Sequence, residues 1–578
     1  MILRETPSLR HILFEPETTK EWKFLDNFPG LLREGTSFFS TNNSLIIQNL
    51  YARIKKQRKD IIKFTPYIKS VLTNKEPLLP LPSSFSYFTS PLPHQDLALR
   101  FAYTHDNIGL LLEPGLGKTK IVLDFIYLKG FKKSLVICPK PLLGVWAEET
   151  IKHRPELKTY IISSTNWEEE KDRVQESNVI VINYDKAIIL QEKLSEFSFD
   201  FIGLDEGLIK NYKTERTKVI TKLSRKVPYR MIMSGTLVNN SPMDLFAPIR
   251  FIEPSLIGLG VTHFKNRYVV PTEYKGKPIF RKEDREEIKT ILEACSIVMR
   301  KSEWLKDLPN KLFTVVPVKL SQLQEDWYSY LASNWILNKE FTRLEFDIEI
   351  SLVLVLLGKL NQISNGFLYY RDSIEEEEVF VEYGEVKTKS KKVLIGPRFV
   401  YQFPEQPKIE KLLEIIEDST MLKGRRAIIW FNLRAELDLL EWAFKKEKIS
   451  YSVIAGGEKN ITGKVNEFNS NPTIRFCLCQ AKTINYGVTL IGEEENEEVP
   501  YEFSSTISDE IFYSLNYSLE VYLQQQDRIH RIGQKRDCKY WILQGNTSTE
   551  KEIFEALQDK LELNREMLQD ISKRAKIL

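Results

Sequence analysis

A short glycine-containing segment, PGLGKT from Pro114 to Thr119, supplies residue types that bind phosphate. In such a loop, backbone N–H groups and the N-terminus of the following helix cradle phosphate, and Gly115 and Gly117 let the backbone approach closely. Lys118 would reach the β and γ phosphates, and the Thr119 hydroxyl would bind Mg²⁺. The segment therefore predicts a nucleotide site that uses Mg²⁺.

The elements on either side of this segment support that prediction. The apolar run NIGLLLE precedes it as a strand, and KIVLDFIYL follows it as a helix, which is the order that a phosphate loop requires. Leu112 occupies the first glycine position of the full GxxxxGK[ST] pattern, so the motif is incomplete there. An ordinary tight turn is the alternative, and the flanking strand and helix favour nucleotide binding over it.

A pair of acidic residues follows about ninety residues later, at the end of the apolar run FIGLDEG. Most Asp-Glu pairs are solvated surface, but this pair stands where a buried strand meets a loop. Downstream of a phosphate loop, Asp205 fits a Mg²⁺-binding carboxylate, and Glu206 fits the group that orients and deprotonates the attacking water. The two segments together predict hydrolysis of a nucleoside triphosphate.

The strands and helices that would position these residues form two series. Short apolar runs alternate with amphipathic segments from Asn107 onward, and a second series begins at Arg426. This pattern is typical of parallel sheets that are buried on both faces and connected by helices. The fold class is therefore α/β with two parallel-sheet domains, and function is expected at the carboxyl ends of their strands.

The composition is that of an ordinary globular protein. The chain has 578 residues, which is long enough for more than one hydrophobic core, and it is 42% hydrophobic and 28% charged. A net charge of +3 excludes a generally basic surface, so any positive charge that meets nucleic acid must be local. The five cysteines show no CxxC spacing, which indicates a reduced intracellular protein without a zinc site. The longest apolar run, from Ile350, is too short to cross a bilayer, and the N-terminus lacks an apolar signal core.

We divide the chain into five parts. The predicted parts are a small N-terminal α+β module (1–84), a first α/β domain (85–301), a helical insertion with an exposed hairpin (302–406), a second α/β domain (407–546) and a C-terminal helical extension (547–578). The N-terminal module is predicted to contain a β-hairpin followed by an amphipathic helix.

Several further segments, in their order and spacing, resemble the Swi/Snf-type branch of the superfamily 2 helicase-related ATPases. The similarity extends from about Phe85 to Leu557, and it rests on the strings PLPHQ, EPGLGKT, SLVICPKPLLGVWAEE, LDEGLIKN, MSGTLVNN and QQQDRIHRIGQ. The string HRIGQ after QxxDR is specific to that branch. Other segments look most similar to compact viral and bacteriophage members and to annealing helicases. The resemblance implies two RecA-like domains flanking an ATP cleft.

The resemblance also implies roles for particular residues. Gln95 would recognise the adenine, while Lys118, Thr119, Asp205 and Glu206 would form the hydrolytic centre with ATP and Mg²⁺. Coupling of hydrolysis to motion would fall to Ser234 and Thr236. Three residues of the second domain would close over the phosphates, namely Gln524, Arg528 and Arg531.

Some positions depart from the family pattern. Leu208 replaces the usual histidine after the Asp-Glu pair, Leu237 replaces the usual proline, and only Gly487 remains of a glycine-rich motif. Because that histidine normally links the nucleotide site to the other motifs, coupling would be looser here. The phosphate-handling residues are all present, so we expect an active enzyme.

DNA contacts are assigned by the same resemblance. The loop from Pro139 to Leu143, with Lys140, would contact phosphates in the first domain, and Gln480 to Thr489, with Thr483, would do so in the second. Lys140 is about equally well explained as a solvated surface lysine. Phosphate contacts of this kind make binding dependent on salt and independent of sequence.

The N-terminal module carries a cluster of basic residues that could also meet DNA. Arg53, Lys55 and Lys56 belong to the predicted amphipathic helix, and the module resembles the substrate-recognition modules of annealing helicases and of a phage branch-migration helicase. The alternative is a solvated helix without a ligand.

The leading hypothesis is an ATP-dependent translocase on double-stranded or branched DNA, acting in DNA repair, recombination, annealing or protein displacement. The alternatives are a strand-separating DNA or RNA helicase and a nucleotide-gated DNA-binding clamp with little turnover. We expect a monomer with DNA as its partner and no membrane association. The expected compartment is the cytoplasm of a bacterium or infected host, or the nucleus of a eukaryote.

Overall fold

A computed structural model shows two compact units, which are Met1–Lys306 together with Lys560–Leu578, and Asp307–Asp559. The structure describes residues 2–5, 11–15, 32–34, 37–41, 78–105, 107–207, 209, 211–235, 242–253, 260–270, 279–280, 288–289, 291–292, 295–337, 348–349, 352–382, 385–418, 420–458, 460–483, 490–492 and 506–575.

The N-terminal part of the first unit contains a small antiparallel sheet. Its strands are β1 (Ile2–Glu5), β2 (His11–Glu15), β3 (Leu32–Glu34) and β4 (Ser37–Thr41), in the order β1-β2-β4-β3. The antiparallel pairing of β3 with β4 is the predicted hairpin. The predicted amphipathic helix, with Arg53, Lys55 and Lys56, lies outside the described residues.

The main sheet of the first unit has seven parallel strands in the order β13-β5-β10-β9-β6-β8-β7. The strands of this unit are β5 (Asn107–Leu112), β6 (Ser134–Cys138), β7 (Thr159–Ile161), β8 (Val179–Asn183), β9 (Phe201–Asp205), β10 (Tyr229–Met233), the short antiparallel pair β11 (Val269–Val270) and β12 (Ile279–Phe280), and β13 (Ser296–Met299). Strands β5, β6, β8 and β9 are buried at every residue, which explains their continuous apolar sequence.

Helices connect these strands and cover the sheet. They are α1 (Pro93–Thr104), α2 (Lys118–Lys129), α3 (Leu143–His153), α4 (Trp167–Glu176), α5 (Tyr184–Ile189), α6 (Gln191–Ser195), α7 (Glu215–Ser224), α8 (Phe246–Ile252), α9 (Val261–Tyr268) and α10 (Lys301–Trp304), with 3₁₀ turns at Lys140–Leu142 and Pro242–Leu245. The alternation of parallel strands and helices confirms the predicted α/β class for this unit.

The second unit has a sheet of six parallel strands in the order β14-β23-β22-β19-β21-β20. The strands of this unit are β14 (Lys311–Val318), the short pair β15 (Ile336–Leu337) and β16 (Ile348–Glu349), β17 (Phe367–Glu382), β18 (Glu385–Gln402), β19 (Ala427–Phe431), β20 (Tyr451–Ile454), β21 (Phe476–Gln480), β22 (Asp509–Phe512) and β23 (Cys538–Gly545). Strand β14 pairs with β23 at the edge of this sheet, whereas the sequence had placed these residues in the helical insertion. Most residues of β14 are exposed, and Lys311, Thr314 and Pro317 interrupt its apolar sequence, so the string does not resemble a buried central strand.

The helices of the second unit are α11 (Gln322–Asn334), α12 (Val353–Ser364), α13 (Pro407–Glu417), α14 (Arg434–Lys446), α15 (Ile461–Ser470) and α16 (Leu519–Gln526). Helix α17 (Ser548–Ala575) begins in this unit, and its residues from Lys560 onward are grouped with the first unit. Strands β17 and β18 form the long antiparallel hairpin that was predicted between the two α/β series. Helices α11 and α12 pack with the base of that hairpin around Trp327 and Phe403 in a separate apolar cluster. None of the described helices is long and apolar enough to cross a membrane.

Candidate functional site

The phosphate-loop segment adopts the backbone that its glycines were expected to allow. It follows the buried strand β5, and α2 begins at Lys118. Gly115 and Gly117 have φ angles of 89° and 78°, a region that residues with a Cβ rarely adopt. The ammonium of Lys118 donates a hydrogen bond of 3.0 Å to the carbonyl oxygen of Leu112, which folds the side chain back over the loop.

Gln95 lies directly against this loop. Its side-chain amide nitrogen donates to the carbonyl oxygen of Leu116 at 3.4 Å, and its side-chain oxygen accepts from the Leu92 backbone N–H at 3.0 Å. A Cβ atom at Gly117 would overlap the Gln95 amide nitrogen. The structure therefore brings the predicted adenine-recognising residue next to the predicted phosphate loop.

The acidic pair stands where the sequence placed it, at the end of β9. The carboxylate of Asp205 accepts a hydrogen bond from Trp146 Nε1 at 2.9 Å and one from the Glu206 backbone N–H at 3.1 Å. Its backbone carbonyl accepts from the Tyr184 hydroxyl at 2.8 Å. The position and orientation of Asp205 are thus fixed by three donors.

Burial raises the pKa of the Asp205 carboxyl, and the charge of Lys118 and the hydrogen bond from Trp146 oppose that rise. Lys118 follows β5 and Asp205 ends β9, and these parallel strands lie on either side of β10, so the ammonium and the carboxylate lie at the same edge of the sheet. A bound divalent cation would act in the same direction as Lys118, because it too favours the charged carboxylate.

Glu206 has a left-handed backbone, with a φ of 59°, and Gly207 follows it at 47°. For a residue with a Cβ, this conformation costs about 1 kcal/mol or more. This conformation turns the chain sharply at the end of β9. Glu206 is one of the few non-glycine residues in the described part of the chain that have a positive φ.

Ser234 is buried at the end of β10, the strand between β5 and β9. Its backbone N–H donates to the Leu110 carbonyl at 3.0 Å, and Gly235 packs so closely on Pro114 that a Cβ there would lie 2.9 Å from the proline ring. The segment after β10 thus touches the phosphate loop, which suits the predicted coupling role. Thr236, Leu237 and Leu208 lie outside the described residues.

Two contacts at this site were not identified from the sequence. One is the Trp146 hydrogen bond to Asp205. In the other, the Glu113 carboxylate accepts from the Lys301 backbone N–H at 2.8 Å, and the Glu113 N–H donates to the Met299 carbonyl at 3.1 Å. These bonds tie the residue before the phosphate loop to the end of β13. Both contacts join residues far apart in sequence, so spacing could not have revealed them.

Lys140 begins the 3₁₀ turn after β6 and is exposed, as a phosphate contact requires. Its exposure fits a DNA contact and equally fits a solvated lysine. The turn leads without interruption into α3, because the Leu143 N–H donates to the Lys140 carbonyl.

The residues predicted to act from the second domain lie in the second unit. Gln524 is on α16, and the Arg528 Nε donates to its carbonyl oxygen at 2.9 Å. Arg528 is only 4% exposed, whereas Arg531 is partly exposed. The two arginines therefore have different surroundings, which the sequence alone did not distinguish.

Arg528 lies near a buried carboxyl on the central strand β22. Burial raises the pKa of Glu510 well above its usual range, and a hydrogen bond from Trp430 and the charges of Lys311 and Arg528 oppose that rise. The indole nitrogen of Trp430 donates to Glu510 at 3.1 Å. The charge of Arg528 therefore favours the ionised form of Glu510.

Thr483, the predicted DNA contact of the second unit, donates from its hydroxyl to the Gln480 side-chain oxygen at 3.1 Å. That oxygen also accepts from the Gly456 N–H at 2.8 Å, and the Gln480 amide donates to the Asn432 carbonyl at 3.1 Å. Gln480 thus joins the ends of three parallel strands. Residues 484–489 of the predicted loop are outside the described part.

The donors at the first site suit Mg²⁺. Asp205 offers a carboxylate, Thr119 offers a hydroxyl in the first turn of α2, and hard oxygen donors with substrate phosphates are what Mg²⁺ prefers. Among the described residues no cluster of three or more His, Cys, Asp or Glu could hold a metal ion alone.

The SNF2-related domain family matches residues 94–367, which include the phosphate loop, the acidic pair and Ser234. Residues 94–367 of this chain are thus similar to an SNF2-related domain, in agreement with the predicted Swi/Snf-type resemblance over that region.

Curated relatives of the SNF2-related domain are similar over most of this chain. Nuclear protein STH1/NPS1 of Saccharomyces cerevisiae is 26% identical over 485 residues, covering 80% of this chain and 33% of the relative. The human TATA-binding protein-associated factor 172 is 25% identical, covering 73% and 24%, and the human DNA repair and recombination protein RAD54B is 25% identical, covering 80% and 53%. The chain thus spans between about a quarter and a half of the length of these relatives. A solved structure, the Sulfolobus solfataricus SWI2/SNF2 ATPase core in complex with dsDNA, is 20% identical with a TM-score of 0.39, covering 86% of this chain and 97% of that one.

Proposed function

We propose that the protein is a DNA-dependent ATPase that moves along double-stranded or branched DNA. The observation that carries the proposal is the arrangement of Lys118 and the Asp205–Glu206 pair within an SNF2-related domain. Phosphoryl transfer needs little covalent help from a protein, since positioning and charge neutralisation supply most of the catalysis.

In this proposal, the phosphate loop holds ATP, and Lys118 exchanges its bond to Leu112 for the β and γ phosphates. Asp205 and Thr119 hold the Mg²⁺ that ATP brings, which supplies charge neutralisation at the phosphates. Glu206 orients the attacking water and accepts its proton. Gln95 recognises the adenine. Ser234 and Thr236 couple ATP hydrolysis at the phosphate loop to motion of the domain.

Gln524 and the two arginines complete the proposed catalytic set from the second unit. Of the pair, Arg531 is the better candidate for the γ-phosphate contact, because it is partly exposed while Arg528 is buried. A guanidinium that reaches the phosphate only in a closed state makes hydrolysis depend on domain closure. A translocating motor requires that dependence.

The DNA part of the proposal draws on the relatives, among which is a DNA repair and recombination protein. Lys140 and Thr483 are proposed phosphate contacts, and the module with Arg53, Lys55 and Lys56 is proposed to bind branched DNA. The likeness to compact viral and bacteriophage members, the monomeric state and the compartment, cytoplasm or nucleus, stay predictions.

Steady-state ATP hydrolysis tests the proposal. It is measured without nucleic acid and then with single-stranded DNA, duplex DNA, forked DNA and RNA. Stimulation by duplex or forked DNA, without ATP-driven release of a labelled strand, supports translocation. Strand release would indicate a helicase instead, ATP-gated DNA binding without turnover would indicate a clamp, and hydrolysis that no DNA stimulates would refute the proposal.

A further inference from the structure

Trp146 has a polar contact that core packing does not explain. Its indole is 1% exposed, and its N–H donates to Oδ2 of Asp205 at 2.9 Å. A purely hydrocarbon side chain would fill the same space without a hydrogen-bond donor. The indole N–H, in contrast, fixes the orientation of the carboxylate that accepts its hydrogen bond. Oδ1 of Asp205 accepts from the Glu206 N–H at 3.1 Å, so both carboxylate oxygens are held.

The helix that carries Trp146 starts at the candidate DNA contact. The 3₁₀ turn Lys140–Leu142 leads directly into α3, and Trp146 is four residues beyond Leu142. One helical turn rises 5.4 Å, so Trp146 is about one turn from the Lys140–Leu142 segment, in which Lys140 and Pro141 are exposed and Leu142 is buried. A short rigid element therefore connects that segment to the carboxylate of Asp205.

We propose that Trp146 is a positioning residue through which phosphate contact at the Lys140–Leu142 turn orients the Asp205 carboxylate for Mg²⁺·ATP. The proposal rests on the proposed function and extends it, because it names a route from DNA to the hydrolytic centre. Residues that hydrogen-bond to a metal ligand orient that ligand and tune its affinity for the metal. This route does not require a histidine at position 208, where the chain has leucine.

The first test replaces Trp146 by phenylalanine, which keeps an aromatic ring and removes the N–H. Trp167→Phe is the matched control, since Trp167 is also buried in the core of the first unit and packs against Phe197. Mn²⁺ is titrated by electron paramagnetic resonance in the presence of a non-hydrolysable ATP analogue, with and without duplex DNA. ATP hydrolysis and thermal unfolding are measured on the same samples.

In the parent protein, DNA is expected to raise both Mn²⁺ affinity and ATP hydrolysis. Trp146→Phe should lower Mn²⁺ affinity at least roughly tenfold and remove the effect of DNA on it. Trp167→Phe should lower the unfolding temperature while leaving Mn²⁺ affinity and its response to DNA unchanged. Equal Mn²⁺ affinity in Trp146→Phe and the parent would overturn the inference, as would a parent whose hydrolysis responds to DNA while its Mn²⁺ affinity does not.

If Trp146→Phe fails to fold, replacement of Trp146 by 3-benzothienylalanine decides the question, because that side chain matches the indole in shape and lacks the N–H. Unchanged Mn²⁺ affinity in that protein would reject the role of Trp146. A parent protein whose ATP hydrolysis no DNA stimulates would instead reject the proposed function, so the two failures are distinguishable.

Discussion

The Lys118 ammonium donates to the carbonyl oxygen of Leu112, six residues earlier in the chain, at 3.0 Å. This hydrogen bond joins the two ends of the phosphate loop. It holds the ammonium where the phosphates of a bound nucleotide would replace the Leu112 carbonyl as its partner. Lys118→Ala should lower kcat for ATP roughly 10²-fold or more, because a fixed charge at the transferred phosphoryl group is lost. Phosphate release measures this, and Lys129→Ala, at the far end of α2, is the control that should retain activity.

Glu206→Gln should bind ATP with nearly parental affinity and lower hydrolysis roughly 10²- to 10⁴-fold, because the amide cannot accept a proton from the attacking water. Binding of a fluorescent ATP analogue and single-turnover hydrolysis separate the two effects. A variant with parental single-turnover rates would remove Glu206 from the role of base.

The two arginines of the second unit should respond differently to replacement. Arg531→Ala should fold as well as the parent and keep its ATP affinity within a few fold, but lose roughly 10³- to 10⁵-fold in DNA-stimulated hydrolysis. Arg528→Ala should also lower the unfolding temperature, because it removes a buried side chain that bonds Gln524 and balances Glu510. Thermal unfolding beside hydrolysis tests this, and an Arg528→Ala protein as stable as the parent would show that its burial contributes little.

Gly117→Ala should cost more stability than Gly130→Ala, although both glycines have left-handed backbones. Alanine at position 130 meets nothing within 4 Å and loses only about 1–2 kcal/mol from backbone strain. At position 117 the added Cβ also overlaps the Gln95 amide. Urea unfolding of both variants, and of Gly117→Ala combined with Gln95→Ala, measures the difference. If the second change does not recover part of the loss, Gln95 does not press on the loop.

Because of Lys359, the free energy of unfolding should increase with pH above neutrality. Burial, reinforced by the charge of Arg398, lowers its pKa from 10.5 to about 8. Between about pH 8 and 10.5 the unfolded chain then binds more protons than the folded one, so stability rises with pH, by at most about 1.4 kcal/mol per pH unit. Lys359→Met should remove this contribution. Urea unfolding of both proteins across that range measures it, and parallel curves would contradict the prediction.

The sequence predicted the elements whose pattern is local. Strands such as β5 and β9 are continuous apolar runs because they are buried on both faces, and the phosphate loop shows its glycines and its lysine in one short string. The edge strand β14 was missed because Lys311, Thr314 and Pro317 interrupt its apolar sequence, which therefore lacks the continuous run of a buried strand. Contacts such as Trp146 with Asp205, and Lys301 with Glu113, could not be predicted, since each depends on the packing of segments that are distant in sequence.

The same limit applies to the two arginines. Their spacing in QQQDRIHRIGQK marked both as candidates, but only the structure separates a buried residue that neighbours Glu510 from a partly exposed one. Burial depends on how the rest of the second unit packs around the segment, and nothing in the segment itself encodes it.

The left-handed backbone of Glu206 implies a trade-off between stability and activity at one position. Glycine accepts that conformation without strain, and asparagine tolerates it far better than glutamate does. Glu206→Gly and Glu206→Asn are therefore expected to raise the unfolding temperature and to abolish hydrolysis. Selection for thermostable variants of this chain would therefore favour replacement of Glu206, the residue that its proposed activity requires as a base.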